Sequence, residues 1–430
     1  MTSPGAVQID LAGPARARQR CQVAAARQQL AQLFDGSGIP VRIGYGPVPP
    51  GHRVVESWRV LPGPADPRFL VPLDPAVARR VLVSHNRLRS GRVRWQRRAA
   101  ALAVGPLRRL RGERSELHLS VPREIPGDEV GRELITQRML GTVPGAGHTA
   151  ISLQRFHPRA KPTVQLVGGD GRIVGFAKVA TDPETARRVG READLLGRVP
   201  AGLEGPISLP EVLGSRTDGP VAYSVTAPLP VRARGAVPSD ETRVLRRLRD
   251  FQQALGTRVV RVGDTDLWRE LERLAEVAAG ADGREDLVQA HARLLRACRD
   301  RDAGTDLPAG CLHGDWVPWN MAWEGERLWV WDLEYGSPLA PLGLDALRWT
   351  FQLRHALSGD SLEASVGAMA AAAPRVLPEV GVDPAHAPAL IRLHLVELLG
   401  SALALLAAGR GLPGGLDPDA VRVLREWEER

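Results

Sequence analysis

The sequence predicts an α+β fold in three parts: an extra N-terminal α/β region over residues 1–140, a small antiparallel-sheet lobe over 141–225 and a helical large lobe over 226–430. Three observations predict it. Short apolar runs from Thr149 to Arg155, Thr163 to Val167, Gly171 to Val179 and Val221 to Val225 are bounded by turn residues, the pattern of strands. From residue 231 onward apolar residues recur at helical spacing. The first 140 residues mix the two patterns, and no internal repeat is present.

In chain order, Ser57 to Leu61 and Arg68 to Val71 read as strands, then Pro75 to His85 and Val93 to Leu110 as helices. In the small lobe, Gly168-Gly169-Asp170-Gly171 closes a hairpin onto the strand that carries Lys178, because glycine supplies the positive φ a tight turn needs. Thr181-Asp182-Pro183-Glu184 starts a helix from Arg187 to Leu196 that carries Glu192. Two prolines stiffen the connection Thr226 to Pro230. The large lobe reads as helices from Glu241 to Leu255, Asp266 to Ala279, Arg284 to Ala303, Leu344 to Leu357, Leu362 to Leu377, Pro388 to Ala408 and Asp419 to Glu428.

The 430 residues, 43% of them apolar, suffice for a substantial interior and argue against disorder. Cys21, Cys298 and Cys311 have neither metal spacing nor even pairing, so a reduced, cytoplasmic location is expected. Met1 to Arg20 lacks the apolar core of a signal peptide. The longest apolar stretch, Leu390 to Ala408, is interrupted by Arg392, His394 and Glu397, which predicts a buried helix in place of a membrane span.

Chemistry concentrates at His313-Gly314-Asp315, followed by Asn320 and, past the Glu324-Gly325-Glu326 turn, by Asp332 at the end of the apolar run Leu328 to Asp332. A hydroxyl attacking a terminal phosphate needs a carboxylate to orient it and take its proton, which suits Asp315. The phosphates need Mg²⁺ on hard oxygen ligands, which suits Asn320 and Asp332. His313 is expected to fix the loop by bonding backbone, and Asp345 to cap the helix behind it. Glu334 reads either as a further metal ligand or as a turn carboxylate. Trp316 and Trp319 are expected to wall the acceptor pocket, where an aromatic face suits a sugar or a cation.

The runs HGDWVPWN (313–320) and WDLEYGSPLAPLGLD (331–345) resemble those of the aminoglycoside phosphotransferase and choline kinase group of kinase-like small-molecule phosphotransferases. The resemblance covers about residues 148 to 430 and implies a bilobal protein-kinase-like fold that uses ATP or GTP with Mg²⁺. It also implies a lysine on the third strand of the small lobe and a glutamate on the next helix, and Lys178 and Glu192 stand in that order. Backbone groups near Val225 and Ala227 would meet the adenine. The glycine-rich phosphate loop of such enzymes is absent. In its place stands Phe156-His157-Pro158-Arg159-Ala160-Lys161-Pro162, where Lys161 reads either as a charge covering the phosphates or as a solvated hairpin lysine.

Composition adds weight to two positions. Of 57 Lys plus Arg residues only Lys161 and Lys178 are lysine, and Asn86 and Asn320 are the only asparagines. A planar guanidinium does not replace a compact ammonium in a phosphate cradle, and no other side chain offers the neutral amide oxygen of Asn at that reach. Net charge is +8, and Arg87 to Arg114 alone holds ten arginines against Glu113. That patch reads as a solvated basic surface or as a site for an anionic partner or membrane surface. Nucleic acid is the least supported partner, since Trp95 is the only aromatic residue there.

These readings converge on a Mg²⁺-dependent phosphotransferase acting on a hydroxyl of a small molecule: a sugar, an amino alcohol or an aminoglycoside-like metabolite. The rivals are a kinase acting on peptide side chains and a catalytically silent nucleotide-binding scaffold that works through its basic N-terminal region.

Overall fold

The computed structural model describes residues 7–10, 17–34, 36–84, 115–153, 162–180, 182–198, 205–216, 222–409, 411–412 and 419–429. Lys161 and the arginine-rich segment 87–114 lie outside these residues. The chain is α+β and forms two compact units, one of residues 1–193 with 210–230, the other of 194–209 with 231–430.

In the first unit the strands are β1 (Val7–Asp10), β2 (Val41–Tyr45), β3 (His52–Gly63), β4 (Asp66–Pro72), β5 (Glu116–Pro122), β6 (Ala146–Ser152), β7 (Thr163–Gly168), β8 (Ile173–Ala180), β9 (Val212–Arg216) and β10 (Ala222–Thr226). They make one ten-stranded sheet in the order β1-β2-β5-β3-β4-β6-β7-β8-β10-β9. The helices are α1 (Ala17–Phe34), α2 (Pro75–Ser84), α3 (Gly127–Glu133), α4 (Ile135–Thr142) and α5 (Pro183–Arg198). The predicted hairpin is present: Gly168 and Arg172 close it, and Gly171 sits at φ +79°.

Strands from residues 1–140 and strands of the small lobe share this one sheet. β4 pairs directly with β6, placing Phe69 opposite Ser152 and Leu70 opposite Ile151. The physical reason lies in two surfaces that the small lobe alone would leave open. One is the hydrogen-bonding edge of β6, which an unpaired strand would expose. The other is the apolar face formed by Val164, Leu166, Ala177, Val179 and Val225, which is buried in one core with Leu30, Leu33 and Phe34 of α1, Ile135 and Met139 of α4, and Trp58.

The second unit contains a three-stranded antiparallel sheet of β11 (Thr257–Arg261), β12 (Asp306–Leu312) and β15 (Ser337–Pro341), with β12 in the middle. It also contains the hairpin β13 (Met321–Glu324) and β14 (Arg327–Val330). Its helices are α6 (Glu241–Ala254), α7 (Asp266–Ala278), α8 (Glu285–Arg301), α9 (Leu344–Gln352), α10 (Leu362–Glu379), α11 (Ala387–Ala407) and α12 (Asp419–Glu429). Side chains cap two of them, Thr265 bonding the Trp268 amide and Ser361 the Ala364 amide. By length and composition the segment Pro384–Ala407 could cross a membrane, yet 83% of its apolar window is buried. α11 packs against α7, α8, α9 and α10, and its charges are paired internally, Arg392 with Asp302 at 2.6 Å and Glu397 with Arg348.

Candidate active site

In the first unit, Lys178 lies on β8 between Thr163 of β7 and Ser224 of β10 in register. Asp182 starts α5 by accepting the Thr185 amide at 2.9 Å, and the helix then presents Glu192 to the sheet. Lys178 Nζ donates to Glu192 Oε2 at 2.6 Å, and the glutamate is 3% exposed. An ammonium held this way has a fixed position from which to meet phosphate oxygens. Lys178 is therefore inside its strand, two residues short of the end. Val225 lies in the ladder between Ala177 and Gly214 with its side chain buried, and the Ala227 N–H donates to the Glu211 carbonyl at 2.8 Å. That amide is committed within the sheet's own edge.

In the second unit, β12 delivers His313-Gly314-Asp315, and the turn Pro318–Asn320 returns the chain into β13. Asn320 Nδ2 donates to the Asp315 backbone carbonyl at 3.1 Å and to its Oδ2 at 2.7 Å. The Asp315 amide donates to His313 Nδ1 at 3.2 Å, so the other ring nitrogen carries the proton and donates to the Trp331 carbonyl at 3.0 Å. The Trp331 amide in turn bonds the Asn320 carbonyl at 3.1 Å. One buried neutral imidazole thus ties Asp315 to the backbone that leads into Asp332.

β14 stops at Val330, and Asp332 follows outside the strand at φ +71°. Among the described residues it is the only non-glycine at positive φ, a conformation that costs free energy and persists where the surroundings enforce it. Gly314, at φ +85°, has no room for a Cβ, which would collide with the Tyr335 carbonyl. Behind the loop, Asp345 accepts the His313 amide at 2.8 Å and the Gly314 amide at 2.9 Å. The expected helix cap is instead Gly343, and Asp345 stands inside the first turn of α9. Burial pushes its carboxyl pKa up, and Arg348 with the two amides pulls it back.

The sequence profile of the Phosphotransferase enzyme family matches residues 153–336. That segment is similar to the family. The match takes in Lys178, Glu192, Asp315, Asn320 and Asp332 and ends before α9. No curated protein matches the chain. Similar solved structures include an amicoumacin kinase in complex with AMP-PNP, Ca²⁺ and Ami, 14% identical, TM-score 0.45, covering 71% of this chain and 96% of that one. Wild-type aminoglycoside 2'-phosphotransferase-IIIa in its GDP complex is 13% identical, TM-score 0.41, covering 66% and 94%. Choline kinase from Streptococcus pneumoniae is 11% identical, TM-score 0.38, covering 62% and 88%.

Within this segment the structure corrects one expected wall of the acceptor pocket. Trp316 is fully buried, 5.9 Å from Phe251 and edge-on to His313 at 5.4 Å, so it supports the loop from the core. Trp319 remains half-buried. Glu334 is 8% exposed. No group of three or more His, Cys, Asp or Glu side chains gathers at a metal site among the described residues. Asn320 and Asp332 offer one amide oxygen and one carboxylate. This donor set fits Mg²⁺, which commonly takes one or two carboxylates and completes its shell with water and substrate phosphates. A cavity of about 220 Å³ lies elsewhere in the first unit, lined by Glu56, Ser57, Gln137 and His148 among others. Sequence reasoning missed the contacts of Arg348 and Glu397. Their signal was charge inside the apolar runs 344–351 and 387–407.

Proposed function

We propose that the protein transfers the γ-phosphate of ATP or GTP, with Mg²⁺, to a hydroxyl of a small molecule. The observation that carries this is the fixed Asp315: its Oδ2 is held at 2.7 Å by Asn320, and its amide is bonded to His313. A carboxylate so oriented aligns a hydroxyl and takes its proton as the new phosphorus–oxygen bond forms and the bond to the departing ADP or GDP breaks. Lys178, held by Glu192, binds the α- and β-phosphates. Asn320 and Asp332 would hold Mg²⁺, which when bound neutralises charge on the phosphoryl oxygens. Lys161 covers the phosphates by charge where a glycine loop would use amides. The acceptor is a sugar, an amino alcohol or a related metabolite, and the half-buried Trp319 beside Asn320 suits such a group.

The test is Mg²⁺-dependent consumption of ATP and of GTP by wild type and Asp315→Ala, against a pooled library of sugars, amino alcohols and aminoglycosides. Acceptor-dependent turnover that falls by about 10²–10⁴-fold in the variant is expected for loss of a general base. Nucleotide binding with no stimulation by any pool member would favour the peptide-kinase or scaffold alternative.

A further inference from the structure

Gly314 is the residue through which Asp315 could most easily drift. It has no side chain and sits at φ +85°, so its neighbours must supply the restraint. Both of its backbone polar groups are tied to α9. Its N–H donates to Asp345, and its carbonyl accepts from Arg348 Nη1 at 2.8 Å. Asp345 and Arg348 are three residues apart and therefore share one helix face.

The guanidinium is held in turn by α11. Arg348 Nη2 donates to Glu397 Oε2, and Nε donates to His394 Nδ1 at 3.4 Å. Arg348, His394 and Glu397 are 4%, 4% and 8% exposed. His394 accepts at Nδ1 and is neutral, since burial holds its pKa well below the usual imidazole range and the Arg348 charge lowers it further. One planar fork therefore reaches three directions, which the single point charge of a lysine does not reproduce.

We propose that Arg348, locked by Glu397 and His394, is a positioning residue: it fixes the Gly314 peptide and so sets where the Asp315 carboxylate stands. A buried ion pair is a poor device for stability alone, because desolvating two charges offsets their attraction and apolar replacements commonly fold as well. What the apolar pair does not provide is the hydrogen bond to Gly314. The assignment of a catalytic role through Asp315 rests on the phosphotransfer reading; the restraint on the loop does not.

The experiment compares full-length wild type, Arg348→Lys, and the double variant Arg348→Met with Glu397→Leu. Thermal unfolding, hydrogen exchange of the 313–315 amides and Mg²⁺-ATP turnover with the pooled acceptors are measured on each. In the double variant the melting temperature is expected to stay near wild type, while the 313–315 amides exchange about 10-fold faster and kcat falls about 10²-fold at nearly constant KM for ATP, the scale of effect expected from a misplacement of about 1 Å. Arg348→Lys is expected to lose kcat in the same way. It carries the test if the double variant does not fold.

Unchanged exchange at 313–315, or full turnover in either variant, would overturn the proposal. If wild type shows no turnover, the phosphotransfer reading fails on its own, and exchange still decides whether Arg348 holds the loop.

Discussion

At Lys178 the difference between an ammonium and a guanidinium becomes measurable. Arginine keeps the charge opposite Glu192, so Lys178→Arg should unfold within about 1 kcal/mol of wild type, since most of the ion pair survives. Its planar fork does not fit the same phosphate position, and kcat/KM for nucleotide should fall about 10²-fold. Steady-state kinetics beside a thermal melt separates the two effects, and unchanged kinetics would reduce Lys178 to a structural ion pair. The residues proposed for the chemistry stood out in sequence because so few side chains are suited to it. Lys178 and Asn320 also stood out against a composition that replaces lysine and asparagine almost everywhere else. What holds these residues was not legible. The bonds of Asp345 and Arg348 to the loop span 31 to 34 residues, and Glu397 lies 49 residues beyond Arg348. Trp316 reads as a pocket wall in sequence because aromatic spacing does not say which side of a loop is filled.

α1 and α4 are the elements that turn an open sheet into a closed core. Leu30 on α1 is 1% exposed within the cluster that also contains Ala177 and Val225. Leu30→Ala should therefore cost about 2–5 kcal/mol, the range for a buried leucine that leaves a partly collapsed cavity. It should raise hydrogen exchange in β8 although β8 itself is unchanged. A chain starting at residue 141 would expose the apolar face of β7, β8 and β10 along with the edge of β6, and should be recovered only as aggregate. A soluble fragment that still binds nucleotide would show that the sheet stands without its first half. The strands of the small lobe and the helices of the large lobe were largely legible from periodicity, including the hairpin at Gly168–Gly171, whereas α1, α3, α4, β1, β2 and β5 were not. The β4–β6 pairing was not legible either, because it depends on register between segments about 80 residues apart. A sequence pattern marks a strand without naming its neighbour.

The two units should respond to pH in opposite directions. In the first, the stem of Glu56 is half-buried but its carboxyl oxygen Oε2 is fully buried without a hydrogen-bond partner. Burial raises its pKa from 4.5 to about 7, against the hydrogen bonds that Oε1 accepts from the Thr149 amide and hydroxyl. Because the folded value lies above the unfolded one, this contribution is complete below pH 4.5 and is lost as pH rises through about 7. In the second unit, His291 is buried and donates from Nε2 to the Val396 carbonyl at 3.1 Å, and burial lowers its pKa from 6.5 to about 4. Here the folded value lies below the unfolded one, so the contribution is complete above pH 6.5 and is lost as pH falls through about 4. Each amounts to roughly 3–4 kcal/mol at its full extent, from about 1.4 kcal/mol per pH unit. Glu56→Gln should then raise the melting temperature at pH 8 by several degrees and leave it nearly unchanged at pH 4.5, while His291→Gln should gain on the acid side alone. Thermal unfolding of the three proteins across pH 4 to 9 checks both. If Glu56→Gln follows wild type at every pH, the buried carboxyl is not the group that weakens the first unit in alkali.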